Sequence, residues 1–193
     1  MIVRDGFRLA AMTREFVPKR LDVAAFAEHG ANLSGRTPLP AFTRLAAETT
    51  GTSPEVEVTW AAEGEQRTGV TGAAVPWLHL VADANVPLVC QRCLAPVDIG
   101  LTVDRWFRFV EDEETAAIED EESEEDILVA SRDFDLHALI EDELLMEIPV
   151  TPRHEVCPDA PPLSAADADF DAAGGSRPNP FAVLGKLRSG ESK

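Results

Sequence analysis

The chain has 193 residues, 45% apolar and 27% charged, enough for one sizeable core and unlike a disordered or fibrous polypeptide. Its formal net charge of −18 argues against broad, non-specific coating of nucleic acid, because a polyanionic backbone repels such a chain. No apolar stretch approaches the roughly 20 residues of a membrane span, and Met1 to Arg8 carries charges where a signal peptide needs its apolar run, so a cytoplasmic, membrane-free protein is expected.

Asp22 is placed to cap a short helix over Val23 to His29, with Gly30 suited to a left-handed stop. Pro38 and Pro40 make the stretch to Leu45 irregular or only briefly helical. From Glu55, the alternation Glu-Val-Glu-Val-Thr-Trp predicts a strand with Val56, Val58 and Trp60 facing inward. Further strands are expected around 69–71, 78–82, 86–90 and 97–110, separated by Gly, Pro or Asp-Ala-Asn punctuation, with a bulge near Arg105.

Residues 111–126 hold eleven Asp or Glu and no Lys or Arg. Such a run repels itself and reads as a solvated flexible loop, or as a docking strip for a basic partner. Asp133-Phe134-Asp135 opens a helix to about Glu147, with Leu136, Leu139, Ile140 and Leu144 at helical spacing and Pro149 beyond its end. Residues 158–178 read as a linker. Asn179-Pro180 then opens a short amphipathic helix with Phe181, Leu184 and Leu187 on one side, which either docks on a partner or folds back.

The expected fold class is therefore α+β. An antiparallel β-meander, as a sheet or partly closed barrel, packs with one main helix, a short N-terminal helix, a flexible acidic loop and a C-terminal tail. Residues 1–157 form the single domain, 158–178 the linker, and 179–193 the short helix and tail.

Two of the three cysteines fall in Cys90-Gln91-Arg92-Cys93, and Cys157 follows His154 by three positions. Three cysteines cannot form a fully paired disulfide framework. Cys90 and Cys93 can grip one metal ion from a knuckle-like turn, and His154 with Cys157 would complete a tetrahedral zinc set. The alternative is a structural hairpin with small buried cysteines, leaving His154 and Cys157 at a frayed helix end. A redox pair would need a helix start in a parallel βαβ setting, which Pro96 and the flanking strands oppose.

Catalytic signals are missing: there is no phosphate-cradling glycine loop, Gly-x-Ser-x-Gly or His-Glu-x-x-His. Of the histidines, His79 in a strand and His137 on a helix read as structural. Glu141, Asp142, Glu143 and Glu147 splay around a helix and read as its solvated face rather than an acid pair. A nuclease would need clustered carboxylates around a metal ion, or a histidine pair, so no enzyme is expected.

Four stretches together resemble the YceD family of large ribosomal RNA subunit accumulation proteins. They are Val89-Cys90-Gln91-Arg92-Cys93-Leu94, Phe134-Asp135-Leu136 through Ile140-Glu141-Asp142-Glu143-Leu144-Leu145, Ile148-Pro149-Val150-x-Pro152-x-His154, and Asn179-Pro180-Phe181-Ala182-Val183-Leu184. They span residues 89–187, while the first 88 residues match only in general character. The resemblance implies a non-enzymatic role in ribosome biogenesis, toward large-subunit ribosomal RNA or its precursor particle, with neither DNA nor membrane as partner.

Within that role, the acidic strip and the face bearing Glu141, Asp142 and Glu143 would attract a basic ribosomal protein. Arg92, Arg105 and Arg108 would offer a local RNA contact. The second reading is a zinc-stabilised protein-interaction module that acts on ribosomal RNA levels indirectly.

Overall fold

The computed structural model describes residues 15–51, 55–69, 72–120, 123, 125–159 and 181. The chain divides into two units, Met1–Cys157 and Pro158–Lys193. The expected linker and terminal helix fall almost wholly outside the described residues; Phe181 is described and exposed, while Leu184 and Leu187 are not described.

In the first unit, the Asp22 carboxylate accepts from the Ala25 N–H at 3.1 Å and starts helix α1, Val23–Glu28. Gly30 adopts φ +54° just beyond it, a conformation that costs glycine little. Strand β1, Asn32–Pro38, follows, then a 3-10 turn, Leu39–Ala41, and helix α2, Thr43–Glu48. Strand β1 is absent from the sequence expectation because its inward positions are Leu33, Gly35 and Thr37, too weakly apolar to show alternation. Gly35 sits there for space: a Cβ would lie 2.8 Å from the Trp60 ring.

Strands β2, Glu57–Thr68, β3, Ala74–Val89, and β4, Pro96–Val110, form an antiparallel meander with β1. Two expected strands, 78–82 and 86–90, are one. Asp83, Ala84 and Asn85 pair in register with Thr102, Leu101 and Gly100, and only Ala84 of the three faces the core. Gly69 is not in a strand but in the β2–β3 hairpin, where its N–H donates to Ala73 O at 2.8 Å.

No bulge interrupts β4, whose pairing with β3 is continuous from Pro96 to Arg108. Leu101, Val103, Phe107 and Phe109 are buried on one face, and Arg105 stands among them because acidic groups meet it there.

The acidic run is not simply a loop. Asp112 accepts from the Thr115 N–H at 2.8 Å and starts α3, Glu113–Asp120, and β5, Asp126–Val129, then pairs parallel to β4. Two of its carboxylates are matched by β4 arginines: Glu119 by Arg108, and Asp126 by Arg105 at 3.4 Å. These pairs reduce the self-repulsion that made the run look unstructured. The result is an open mixed sheet in the order β1-β2-β3-β4-β5, not a closed barrel.

Helix α4, Leu136–Met146, is capped by Asp135, which accepts from the Ala138 N–H at 3.1 Å. Its buried Leu136, Ile140 and Leu144 join Phe26 of α1, Leu45 of α2 and one face of the sheet in a single core. His137 packs between Phe42 and Trp60, with ring centroids at 5.7 and 5.5 Å, and burial lowers its pKa from the ordinary value. The other face of β1–β4 carries mostly exposed residues.

Candidate metal centre

Cys90 directly follows β3 and is fully buried. A tight turn follows: the Leu94 N–H donates to Cys90 O at 2.8 Å, and the Cys90 N–H donates to Ala95 O at 2.9 Å. To close it, Leu94 adopts φ 62°, a left-handed conformation unfavourable for a branched side chain that is itself 74% exposed. The turn thereby presents Cys90 and Cys93 together.

The second half comes from the segment after α4. Pro149 lies just past that helix, and buried Pro152 accepts the Gln91 N–H at 2.8 Å, which brings the segment alongside the turn. His154 and Cys157 arrive as a consequence. The ligand atoms of Cys90, Cys93, His154 and Cys157 all lie within 4.8 Å of one another.

This arrangement fits a metal better than a disulfide or a plain hairpin. The three cysteines are free, with Cys90 Sγ 3.8 Å from Cys157 Sγ, against about 2.0 Å for a disulfide. Tetrahedral zinc with Zn–S of about 2.3 Å and Zn–N of about 2.0 Å would place sulfurs about 3.8 Å apart and sulfur and nitrogen about 3.5 Å apart. Cys93 Sγ lies 3.5 Å from His154 Nδ1. His154 Nε2 lies 2.9 Å from Pro96 O, a bond that keeps its proton on Nε2 and leaves the Nδ1 lone pair toward the thiols. The four residues could therefore bind a metal ion.

Burial pushes the Cys90 thiol up, but backbone N–H groups of Cys93, His154 and Arg92 outweigh it and bring the pKa down to about 5. An Ala95 backbone N–H favours the Cys93 thiolate, yet burial and the neighbouring Cys157 and Cys90 sulfurs hold that thiol above its ordinary value. Three thiols so close cannot all ionise without a cation among them.

Arg92 supplies part of that charge. Its Nε donates to Cys157 Sγ at 3.0 Å, and its NH2 group donates to the carbonyls of His154 at 2.7 Å and Glu155 at 3.2 Å. The Cys157 sulfur in turn raises the Arg92 pKa. The guanidinium thus clamps the two halves of the cluster while remaining exposed.

The other expected site residues are also engaged within the fold. Arg105 lies 3.3 Å from Glu143, 3.4 Å from Asp126 and 3.6 Å from Glu147, and Arg108 pairs with Glu119. Glu141 and Glu143 do not form a solvated face, since they are 8% and 4% exposed. Glu141 Oε1 accepts the N–H groups of Arg44 at 2.7 Å and Leu45 at 3.2 Å, capping α2 from a distant helix. Its other oxygen accepts from Arg44 Nε at 2.9 Å, and Asp142 pairs with Arg44 at 2.5 Å. Burial raises the Glu143 pKa, and Arg105 offsets this only in part.

No helix among the described residues is long and apolar enough to cross a membrane. No solved structure matches the chain. The family described as large ribosomal RNA subunit accumulation protein YceD matches residues 78–188. That span takes in β3 from Leu78 onward, β4, the acidic run, α4 and all four clustered ligands, so the resemblance in the Cys-x-x-Cys, Glu-Asp-Glu and Asn-Pro-Phe stretches extends upstream into the sheet. Matched over more than half of its length, the chain belongs to the YceD family of large ribosomal RNA subunit accumulation proteins.

Proposed function

We propose that this protein is a non-enzymatic factor in large-subunit biogenesis, an acidic adaptor that holds a basic ribosomal protein or a pre-ribosomal particle. The observation that carries this reading is the family match over residues 78–188. The charge distribution supports the adaptor form. Of the described acidic residues in 111–126, Glu119 and Asp126 are spent on arginines, while Glu111, Glu113, Glu114, Asp120 and Glu125 are exposed on α3 and its flanks. Such a field speeds encounter with a cationic partner and repels free RNA. The internal pairing of Arg92, Arg105 and Arg108 also favours a protein-mediated effect over direct RNA contact.

Zinc is the metal we assign to Cys90, Cys93, His154 and Cys157, since three sulfurs and one imidazole in a closed tetrahedral set suit it. Three thiolates and Zn2+ leave a net charge of about −1, which the Arg92 guanidinium offsets. The ion's role is structural: it would fix the β3–β4 turn to the segment after α4. The strongly exposed Leu94 and Val156, 74% and 86% accessible, lie beside two of its ligands. That placement favours the second reading, a zinc-stabilised interaction module, as a component of the same adaptor.

The test is capture of ribosomal proteins from dissociated large subunits at moderate salt. Glu113→Gln/Glu114→Gln/Asp120→Asn should weaken capture of the basic proteins. Unchanged capture would remove the acidic strip from the account. Absence of RNA cleavage with added magnesium or manganese is expected alongside.

A further inference from the structure

The bare face of the sheet carries an arrangement that the acidic run does not explain. Three aromatic rings stand there, outside the main core cluster: Trp77, only 9% exposed, and half-buried His79 from β3, and half-buried Trp106 from β4. His79 stacks on Trp106 with centroids 4.4 Å apart and planes 8° from parallel, and its Nε2 lies 2.6 Å from Asp104. Arg67 of β2 places its guanidinium 4.3 Å from the Trp77 ring centroid and 4.0 Å from that of Trp106. The two indoles, 6.5 Å apart and inclined at 68°, therefore form a cleft that already holds a guanidinium.

From this corner the face continues toward β1 as a shallow depression lined by Ser34, Ala61 and Val81, with Arg36 and Asp83 beside them. Register sets the rows across it: Ser34 is opposite Ala61, Ala61 opposite Val81, and Val81 opposite Asp104. These small side chains let another backbone approach. The charged residues on this side of β1–β4 are Glu57, Glu63, Glu65, Asp83, Asp98 and Asp104 against Arg36, Arg67 and Arg108. Arg67 is committed to Glu65 and Arg108 to Glu119, whereas Glu57, Glu63, Asp83 and Asp98 carry no ion pair among the described residues.

We propose that this open sheet face is a docking surface for an arginine-rich protein segment. The segment's cations would meet the unpaired acids of β2–β4, and one arginine would enter the Trp77–Trp106 cleft in exchange for Arg67. The same acids disfavour RNA, although aromatic rings on a sheet otherwise suit base stacking. The proposal rests on the adaptor reading and gives it a second surface, which adjoins the acidic run where Glu119 pairs with Arg108.

The probe is a fluorescently labelled peptide of alternating arginine and glycine, titrated at low and moderate salt into the full chain. Glu63→Gln/Asp83→Asn/Asp98→Asn is expected to weaken binding about tenfold. Arg67→Gln is expected to tighten it several-fold, because the substitution vacates the cleft, removes a repelling positive charge and releases Glu65 from its ion pair. Circular dichroism melts check that each variant folds, and Trp106→Leu supplies a further variant of the cleft. Peptide binding that falls only in Glu113→Gln/Glu114→Gln would overturn the sheet assignment and leave the adaptor reading standing. No peptide binding, together with no capture of ribosomal proteins, would end both. Tighter binding of a single-stranded RNA oligomer, lost in Trp106→Leu, would replace the peptide as occupant and overturn the proposal.

Discussion

His154→Ala/Cys157→Ser removes the two ligands on the segment after α4 and leaves the knuckle intact. Cys90 and Cys157 are 67 positions apart, so a metal shared between them closes a long loop. A cross-link of that span restricts the unfolded chain by about 4 kcal/mol in the loop-entropy relation. Metal held by Cys90 and Cys93 alone in the unfolded state returns part of this, leaving about 2–4 kcal/mol. For a domain near this size, about 2–4 °C of Tm follows each kcal/mol, so a loss of about 5–15 °C is expected. The assay pairs elemental analysis of purified protein with thermal melts, with and without chelator. Wild type should hold one zinc and lose stability on chelation, while the double variant should already be destabilised and respond weakly. Wild type without stoichiometric metal, or with a melt that chelator does not move, would refute the reasoning.

Three further outcomes are expected. Glu141→Ala should cost about 2–4 kcal/mol in denaturant unfolding, because two N–H groups of α2 lose their acceptor and the Arg44 guanidinium keeps only Asp142; a change within experimental error would deny the long-range cap. Leu94→Gly should stabilise the protein by about 0.5–1 kcal/mol, since it relieves φ 62° without removing buried surface, whereas destabilisation would mean the leucine packs against something. Glu143 has a pKa raised above 4.5, so the folded state binds the extra proton and stability falls as pH rises from about 4.5 through the raised value. Glu143→Gln should flatten that part of the stability profile, and an unaltered profile would assign the slope to another group.

Much of the fold is legible where local chemistry acts alone. Asp22 and Gly30 bracket α1, Asp135 starts α4, and the alternation at Val58 and Trp60 marks the inward face of β2. Elements defined by distant partners are not legible. Asp83-Ala84-Asn85 has turn composition, yet Thr102, Leu101 and Gly100 hold it in a strand. The charge of 111–126 hides Thr115 to Ile118, which support α3, and hides the arginines of β4 that compensate the run.

The candidate site divides the same way. Spacing alone brings Cys90, Cys93, His154 and Cys157 to notice, because structural zinc sites are built mostly from Cys and His in closely spaced pairs. The tasks of Arg92 and Glu141 depend on contacts 62 to 65 and 96 to 97 positions away, which spacing does not encode. Neither do periodic patterns show that Trp77 and Trp106 meet Arg67, with His79 stacked on Trp106, on the side away from the core.

Crosslinking tagged protein in cells, followed by sedimentation of ribosomal particles, tests the central claim most directly. The account predicts enrichment in fractions containing large-subunit precursors, with crosslinks to a basic ribosomal protein that decline in Glu113→Gln/Glu114→Gln/Asp120→Asn. Protein confined to the particle-free fractions, with no large-subunit component crosslinked, would contradict it.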